Sequence, residues 1–435
     1  MIKMNEHIKV SIIIPSLNAI TFIDEAIRSV LDQSLEDIEI LCIDAGSTDG
    51  TLEIIEDYAS KDSRVVLLRS ARKSYGYQMN VGIDHAKGEY IGIVEADDYV
   101  PMDMYRDLYD ISKEKNLDII KADFYRFTGE GDDLVKLYFS LTERTDLYKR
   151  VFEPAKEQGS LLTTNNTWCG IYRRKFLIEN RIRHNESPGA SFQDNGFYFQ
   201  TMMYAKRVYF LNEPYYMNRR DNPGSSVFDR RKTYCICDEY SFIYDRLYEA
   251  GMFSLFQEVF AIRLFMEYMG NINRISSSVK REFIRRFADD FHNLEEKEEF
   301  DVSTFDEYKA EILKEIMTDP DGYWEKHIRP FDEVYDEAEG FDEIIIYGAA
   351  SIGHQAMYTL LSRGKSSNIV CFAVTKPKPG VDFVQGYRIR AIDTLSAYKE
   401  QAVLIIASKK RFQNEMKETA ERLGFKHILI VPCEE

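Results

Sequence analysis

The sequence predicts an α/β protein: a doubly wound, mostly parallel sheet, then a helical region, then a second and smaller α/β domain. Three observations carry this. Short apolar runs alternate with amphipathic helical stretches from Val10 to Val94. Charged and aromatic residues at helical spacing fill the chain from Arg231 to about Tyr335. The strand-and-helix alternation then restarts at Glu343. A chain of 435 residues holds two or three domains, and the pattern divides it at 1–228, 229–338 and 339–435.

Composition narrows the function classes. The net charge of −17 argues against a nucleic-acid binder held by phosphate contacts, and against a protein that coats an anionic membrane. One local basic cluster, Arg173, Arg174, Lys175, Arg181 and Arg183, reads either as a solvated helix face or as a patch for peripheral membrane association. The six cysteines are scattered and form no CxxC pair, so neither a zinc site nor a disulfide framework is expected. Met1 to Val10 lacks the apolar core of a signal peptide, and no apolar run approaches a membrane span. The expectation is a soluble protein of the reducing cytoplasm.

Val10–Ile14 is β-rich and stops at Pro15, as a buried strand does. Phe22–Gln33 carries an apolar stripe at helical spacing, and Ile38–Ile43 is a second strand. That strand opens into the turn-rich loop Asp44-Ala-Gly-Ser-Thr-Asp49-Gly50 before a helix from Thr51 to Ala59. Val65–Leu68 is a third strand and Met79–Ala86 a helix. Tyr90–Val94 is a fourth strand, and it runs out into Glu95, Asp97 and Asp98. Clustered carboxylates repel unless a cation sits among them. A hard divalent ion, Mn²⁺ or Mg²⁺, prefers such oxygen ligands and brings a diphosphate with it. The bland alternative is a polar strand end closed by Pro101. In parallel sheets ligands gather beyond the carboxyl ends of the strands. The loops Pro15–Asn18, Asp44–Asp49 and Glu95–Asp98 are therefore expected to converge on one crevice.

Three segments together, V-S-I-I-I-P-S-L-N, I-E-I-L-C-I-D-A-G-S-T-D-G-T and A-K-G-E-Y-I-G-I-V-E-A-D-D-Y, resemble the nucleotide-binding half of family 2 glycosyltransferases. These are inverting enzymes of the GT-A fold that use nucleotide-sugar donors. The resemblance implies that backbone near Pro15, Ser16 and Asn18, the Asp44 carboxylate, and the turn at Gly46 and Ser47 hold the base of a UDP-sugar. It places Glu95-Ala96-Asp97 at the family's DxD position. Asp97 would ligate the metal, with Asp98 either beside it as a ligand or orienting the loop from behind, and Glu95 would face the ribose or the sugar. The chain departs from the family pattern at three points: Ala45 stands for the second Asp of D-D-G-S, Gln78-Met79-Asn80 for A-R-N, and Glu95 for Asp. Lys73 or Arg72 would supply the missing positive charge, and Asn80 keeps its family position.

Asp103–Asn116 reads as helix, Asp118–Ala122 as strand, and 123–158 as an irregular polar and aromatic excursion. Trp168, in W-C-G-I-Y-R, reads either as core or as a wall of the site, where the family has a similar segment. Asp194 precedes an apolar helical pattern, Phe197–Ala205, so it reads as an N-cap or as a base. It also lies at the family's E-D motif, with Gln193 for the Glu, and the resemblance makes it the catalytic base. Arg219 or Arg220 would contact the diphosphate, within a segment that runs on to Ser225 and Ser226, or form a salt-bridged turn. The helices after Arg231 would pack on the first domain or on a partner subunit of a homo-oligomer.

The tail, with Gly348-Ala-Ala-Ser-Ile-Gly353 after a strand, resembles a small Rossmann-like domain. Ala350 occupies the second glycine of the dinucleotide fingerprint, which favours a structural or docking role over cofactor binding. The leading expectation is a metal-dependent inverting transferase that moves a sugar from a UDP-sugar to a glycan or lipid-linked glycan, at the inner face of the membrane, in cell-surface polysaccharide synthesis. The alternatives are an NAD(P)-dependent oxidoreductase or a nucleotide-binding scaffold acting through the tail.

Overall fold

The computed structural model describes residues 8–433, except 130, 132, 133, 223, 225–228, 231, 381, 382 and 385. Ser225 and Ser226 therefore lie outside the described residues. The chain divides into two compact units, Met1–Asn222 with Cys235–Arg263, and Pro223–Tyr234 with Leu264–Glu435.

In the first unit, β1 (Val10–Ser16), β2 (Ile38–Asp44), β3 (Val65–Arg69) and β4 (Tyr90–Ile93) alternate with helices α1 (Ile23–Leu31), α2 (Thr51–Lys61) and α3 (Tyr75–His85). The strands run parallel in the order β3-β2-β1-β4. Every residue of β1 and β2 is buried, as strands covered on both faces must be. The carboxylate in the middle of β2 is satisfied: Glu39 Oε1 accepts from Ser11 Oγ at 2.6 Å and from Lys87 N at 2.6 Å. Pro15 continues β1 rather than ending it. Its neighbour β4 pairs with β1 only as far as Ile13, so the missing N–H breaks no ladder bond.

Helix α4 (Met104–Lys115) leads to β5 (Ile119–Thr128), β6 (Val135–Phe139), β7 (Val151–Phe152) and β8 (Gly170–Arg173). Then come α5 (Arg174–Glu179), α6 (Gln193–Tyr204) and β9 (Val208–Arg219). These strands extend the sheet to nine, with β8 antiparallel between β4 and β5, and β9 parallel to β5. Two strands are longer than the sequence pattern suggests. β5 runs on into the segment expected to be irregular, and β9 continues past Leu211 to Arg219. The polar residues that blurred the pattern are satisfied at long range. Buried Asp123, for one, accepts from Leu141 N at 2.7 Å and Tyr148 Oη at 2.6 Å. Helix α7 (Cys235–Glu249) and α8 (Phe253–Ile272) follow, and the first unit takes α7 and the start of α8.

The second unit holds α9 (Ser277–Glu296), further helices to Ala338, and a six-stranded sheet. Its strands are β10 (Ile344–Tyr347), β11 (Ile369–Val374), β12 (Phe383–Val384), β13 (Tyr387–Ala391), β14 (Val403–Ile406) and β15 (His427–Ile430), in the order β12-β13-β11-β10-β14-β15. Buried Asp332 joins helix to sheet layer, taking Lys280 Nζ at 2.6 Å and Arg363 Nη2 at 2.6 Å. The turn after β10 needs its glycines for backbone reasons. Gly348 has φ +127°, and a Cβ on Gly353 would lie 1.9 Å from the Gly348 carbonyl. Among the described residues no disulfide forms, and no helix is long and apolar enough to cross a membrane.

Candidate functional site

The ends of β1, β2 and β4 meet at one edge of the first sheet. Register places Ser16 beside Asp44 and Ile13 beside Ile93. Gln78, from α3, clamps the first two strand ends, donating from Nε2 to Ser16 O at 2.9 Å and Ile43 O at 2.6 Å. Asn18, with φ 52°, joins the first loop to the second: its N donates to Ser47 Oγ at 2.9 Å, and its Oδ1 accepts from Thr48 N at 2.9 Å. Asp44 is buried and turned back on its own loop. It accepts from Gly46 N at 2.9 Å, from Ser47 N at 3.0 Å and from the Ser47 hydroxyl. That fills three of the roughly four acceptor positions of a carboxylate. Gly46 has φ +84° and open space where a side chain would stand. Asp49 starts α2, accepting from Thr51 N at 3.0 Å.

The acidic loop is folded tightly. Asp98 N donates to Glu95 O at 3.1 Å. Glu95 is held at two points: its N donates to Tyr216 Oη at 3.0 Å, and its Oε1 accepts from Tyr75 Oη at 2.7 Å. Burial pushes the Glu95 carboxyl up to about 8; the Tyr75 hydrogen bond opposes this, and the charges of Asp97 and Asp194 add to it. Ala96 and Asp97 are half-buried. Asp97 Oδ2 accepts from Asn222 Nδ2 at 2.7 Å.

Asp98 lies deeper than Asp97. It is 1% exposed, and it accepts from Arg219 N at 2.6 Å and Asn218 Nδ2 at 3.1 Å. Burial, then the Asp97 charge, raises its pKa well above the usual range. Asp98 thus ties the acidic loop to β9. Arg219 is buried next to Asp98. Its guanidinium lies between the Phe22 and Phe127 rings at 4.7 and 4.6 Å, pairs with Glu25, and donates to Asp97 O at 3.0 Å. It supports the acidic loop from behind.

Among the described residues no three His, Cys, Asp or Glu side chains converge to hold a metal. The half-buried Asp97 carboxylate is an oxygen donor of the kind a hard cation takes together with the oxygens of a diphosphate.

Asp194 stands in the opening turn of α6, so it is not the N-cap. The cap position is Phe192, with φ 64° and no side-chain hydrogen bond. Asp194 Oδ1 accepts from Asn195 N at 3.1 Å. Burial is the main cause of the raised pKa of both Glu95 and Tyr75, and the Asp194 charge adds to each. Gln193 explains its own departure from the family's Glu. Its Nε2 donates to Ser187 Oγ at 2.9 Å, Gly189 O at 3.1 Å and Ser187 O at 3.2 Å, which a carboxylate cannot do. Below the site, buried Lys121 donates to Thr164 O at 2.9 Å and lies 4.6 Å from the Tyr198 ring centre, one turn after Asp194. Burial pulls its pKa down to about 8.

Of the remaining expected residues, Trp168 stacks on Tyr216 at 4.2 Å and so backs the Glu95 peptide. Lys73 is exposed at the rim and makes no ion pair among the described residues, while Arg72 is engaged by Glu186 at 2.8 Å. Asn80 is buried and spent on the protein, donating to His184 O at 2.9 Å and accepting from His184 N at 2.9 Å. The reading of the sequence missed Tyr75, Tyr216, Gln78 and Asn222. Only Tyr75 had a signal: Ser74 caps α3, accepting from Tyr77 N at 3.2 Å, which puts Tyr75 in the first turn.

The fold and this acidic edge define a class. A model of glycosyl transferase family 2 matches residues 11–181. GlyG, a glycosyltransferase of Streptococcus pneumoniae, is 30% identical over 217 residues, which is 48% of this chain and 70% of that protein. EpsJ of Bacillus subtilis, an uncharacterized glycosyltransferase, is 32% identical over 216 residues, 50% of this chain and 62% of its own length. The cholesterol galactosyltransferase of Borreliella burgdorferi is 30% identical over 227 residues, 50% and 63%. The chain thus spans less than two thirds of these last two relatives. Among solved structures, S. aureus TarS 1–349 in complex with UDP-GlcNAc shares the fold at TM-score 0.54 and 19% identity, over 76% of this chain and 92% of that one. The chain belongs to the family 2 glycosyltransferases.

Proposed function

We propose that the chain is an inverting transferase that moves a sugar from a UDP-sugar to a hydroxyl of a glycan or lipid-linked glycan, in cell-surface polysaccharide synthesis. One observation carries the reading: Gln78 clamps the ends of β1 and β2, and register sets β4 beside them, so the loops that bear Asp44, Glu95 and Asp97 open at one sheet edge. TarS, solved with UDP-GlcNAc, supports the donor class.

In this reading Asp194 takes the proton of the acceptor hydroxyl as its oxygen attacks the anomeric carbon. The bond from that carbon to the diphosphate oxygen breaks, and its electron pair leaves with UDP. In-line attack inverts the configuration. Asp97 holds Mn²⁺ or Mg²⁺, and a bound ion offsets charge on the departing diphosphate. Asp98 and Arg219 keep the Asp97 loop in place. Tyr75 orients Glu95 toward ribose or sugar. Asp44, Ser16, Asn18 and the Gly46-Ser47 turn frame the base, and Lys73 reaches the diphosphate from the rim.

Calorimetric titration with UDP tests the donor side. Binding should need Mn²⁺ or Mg²⁺, disappear with EDTA, and fall at least about tenfold (1.4 kcal/mol) in Asp97→Ala. Equal UDP affinity with and without metal would remove Asp97 from its role.

A further inference from the structure

Helix α7 lies beyond the residues matched by the family model, yet it belongs to the same compact unit as the acidic loop. One of its side chains reaches the turn that bears Asp194. Glu239 is 1% exposed. Its Oε1 accepts from Gly196 N at 2.9 Å, and its Oε2 accepts from Asn185 Nδ2 at 3.0 Å. Gly196 is two residues past Asp194, in the first turn of α6. A Cβ at Gly196 would lie 2.2 Å from Glu239 Oε1 and 2.9 Å from Phe242 Cδ1, so only glycine admits α7 this close.

The turn needs an outside acceptor. Its cap residue, Phe192, offers no side-chain oxygen and holds a left-handed backbone that aromatic residues rarely adopt. A carboxylate at a helix N-terminus also meets the favourable end of the helix dipole. Burial pushes the Glu239 carboxyl up to about 8; its bonds to Asn185 and Gly196 oppose this, and the Asp194 charge adds to it.

We propose that Glu239 is a positioning residue for the transfer: by gripping the Gly196 N–H it fixes the turn that aims Asp194. The proposal rests on Asp194 as the base. A misplacement of about 1 Å at a catalytic group costs on the order of 100-fold. Glu239→Asp keeps the carboxyl and shortens the reach by one methylene. Glu239→Gln keeps the reach and an oxygen acceptor in place of the carboxyl.

The experiment measures Mn²⁺-dependent hydrolysis of UDP-GlcNAc, UDP-glucose and UDP-galactose, where water stands in for the acceptor, alongside UDP affinity by calorimetry. Wild type, Glu239→Asp, Glu239→Gln, Gly196→Ala and Asp194→Asn are compared. In Glu239→Asp, kcat should fall roughly 10- to 100-fold with donor KM and UDP affinity within about twofold. In Glu239→Gln, kcat should stay within about threefold of wild type. Gly196→Ala, which pushes the carboxylate away, should copy Glu239→Asp and serves if that variant does not fold. A wild-type kcat in Glu239→Asp, a Glu239→Gln as slow as Glu239→Asp, or a matching loss of UDP affinity overturns the proposal. A wild-type rate in Asp194→Asn instead refutes the base assignment, whatever the Glu239 variants do.

Discussion

Replacing Asp98 by alanine removes the acceptor of the buried Arg219 N–H, bound at 2.6 Å, and of the Asn218 amide, bound at 3.1 Å. The buried N–H loses about 1–3 kcal/mol when left unpaired. The half-buried Asn218 amide turns to water and loses less. A sum of about 2–3 kcal/mol lowers the melting midpoint of a unit this size by about 4–12 °C. Asp98→Asn is the informative partner. Its Oδ1 still accepts from Arg219, and Asn218 can reverse its amide to meet the new Nδ2. Asp98→Asn should therefore melt within about 2 °C of wild type. Its metal-dependent UDP affinity should stay within about threefold. A metal ligand behaves differently, because an amide does not replace a carboxylate on a hard cation. The assays are thermal denaturation and UDP titration with Mn²⁺. A tenfold loss of UDP affinity in Asp98→Asn, with the melting of Asp98→Ala unchanged, would refute the brace and restore the ligand.

Two further outcomes follow from the same geometry. Gln193→Glu restores the family's usual acid yet should lower both the melting midpoint and the transfer rate, since it loses the bonds donated to Ser187 and Gly189; unchanged melting and rate would contradict this. His184 is buried against Phe197 at 4.2 Å, and burial pulls its pKa down to about 3. Its folded pKa lies below its unfolded value near 6.5, so the unfolded state binds the extra proton between those values. Stability should fall as pH drops from about 6.5 to about 3, by up to about 1.4 kcal/mol per unit. His184→Phe should flatten that slope in denaturant titrations across this range, and an unchanged slope would remove His184 as its source.

The strands that carry the three edge loops were legible because β1 to β4 are short, mostly apolar and interrupted by turn chemistry. Their alternation with helices, and the gathering of the loops that bear Asn18, Asp44, Glu95 and Asp97 at one edge, followed from that pattern. What stayed illegible depends on partners distant in sequence. Asn218 and Arg219 look like turn residues until Asp98, more than a hundred positions earlier, satisfies them inside β9. Asn80 looks like a ligand-side amide until His184 takes both its ends. Asp194 looked like an N-cap because α6 starts at Gln193, ahead of the apolar pattern that marks it. Gln193 read as a lost acid because its value lies in donating, which only the folded loop shows.

The central claim is that Asp194 removes the acceptor's proton at a donor site built on Asp97. The most direct measurement is the paired UDP affinity and single-turnover UDP release of Asp194→Asn with Mn²⁺ and the donor that wild type consumes. UDP affinity should match wild type while release slows by about 10²- to 10⁴-fold, the usual contribution of a positioned base. Release at the wild-type rate would contradict the account.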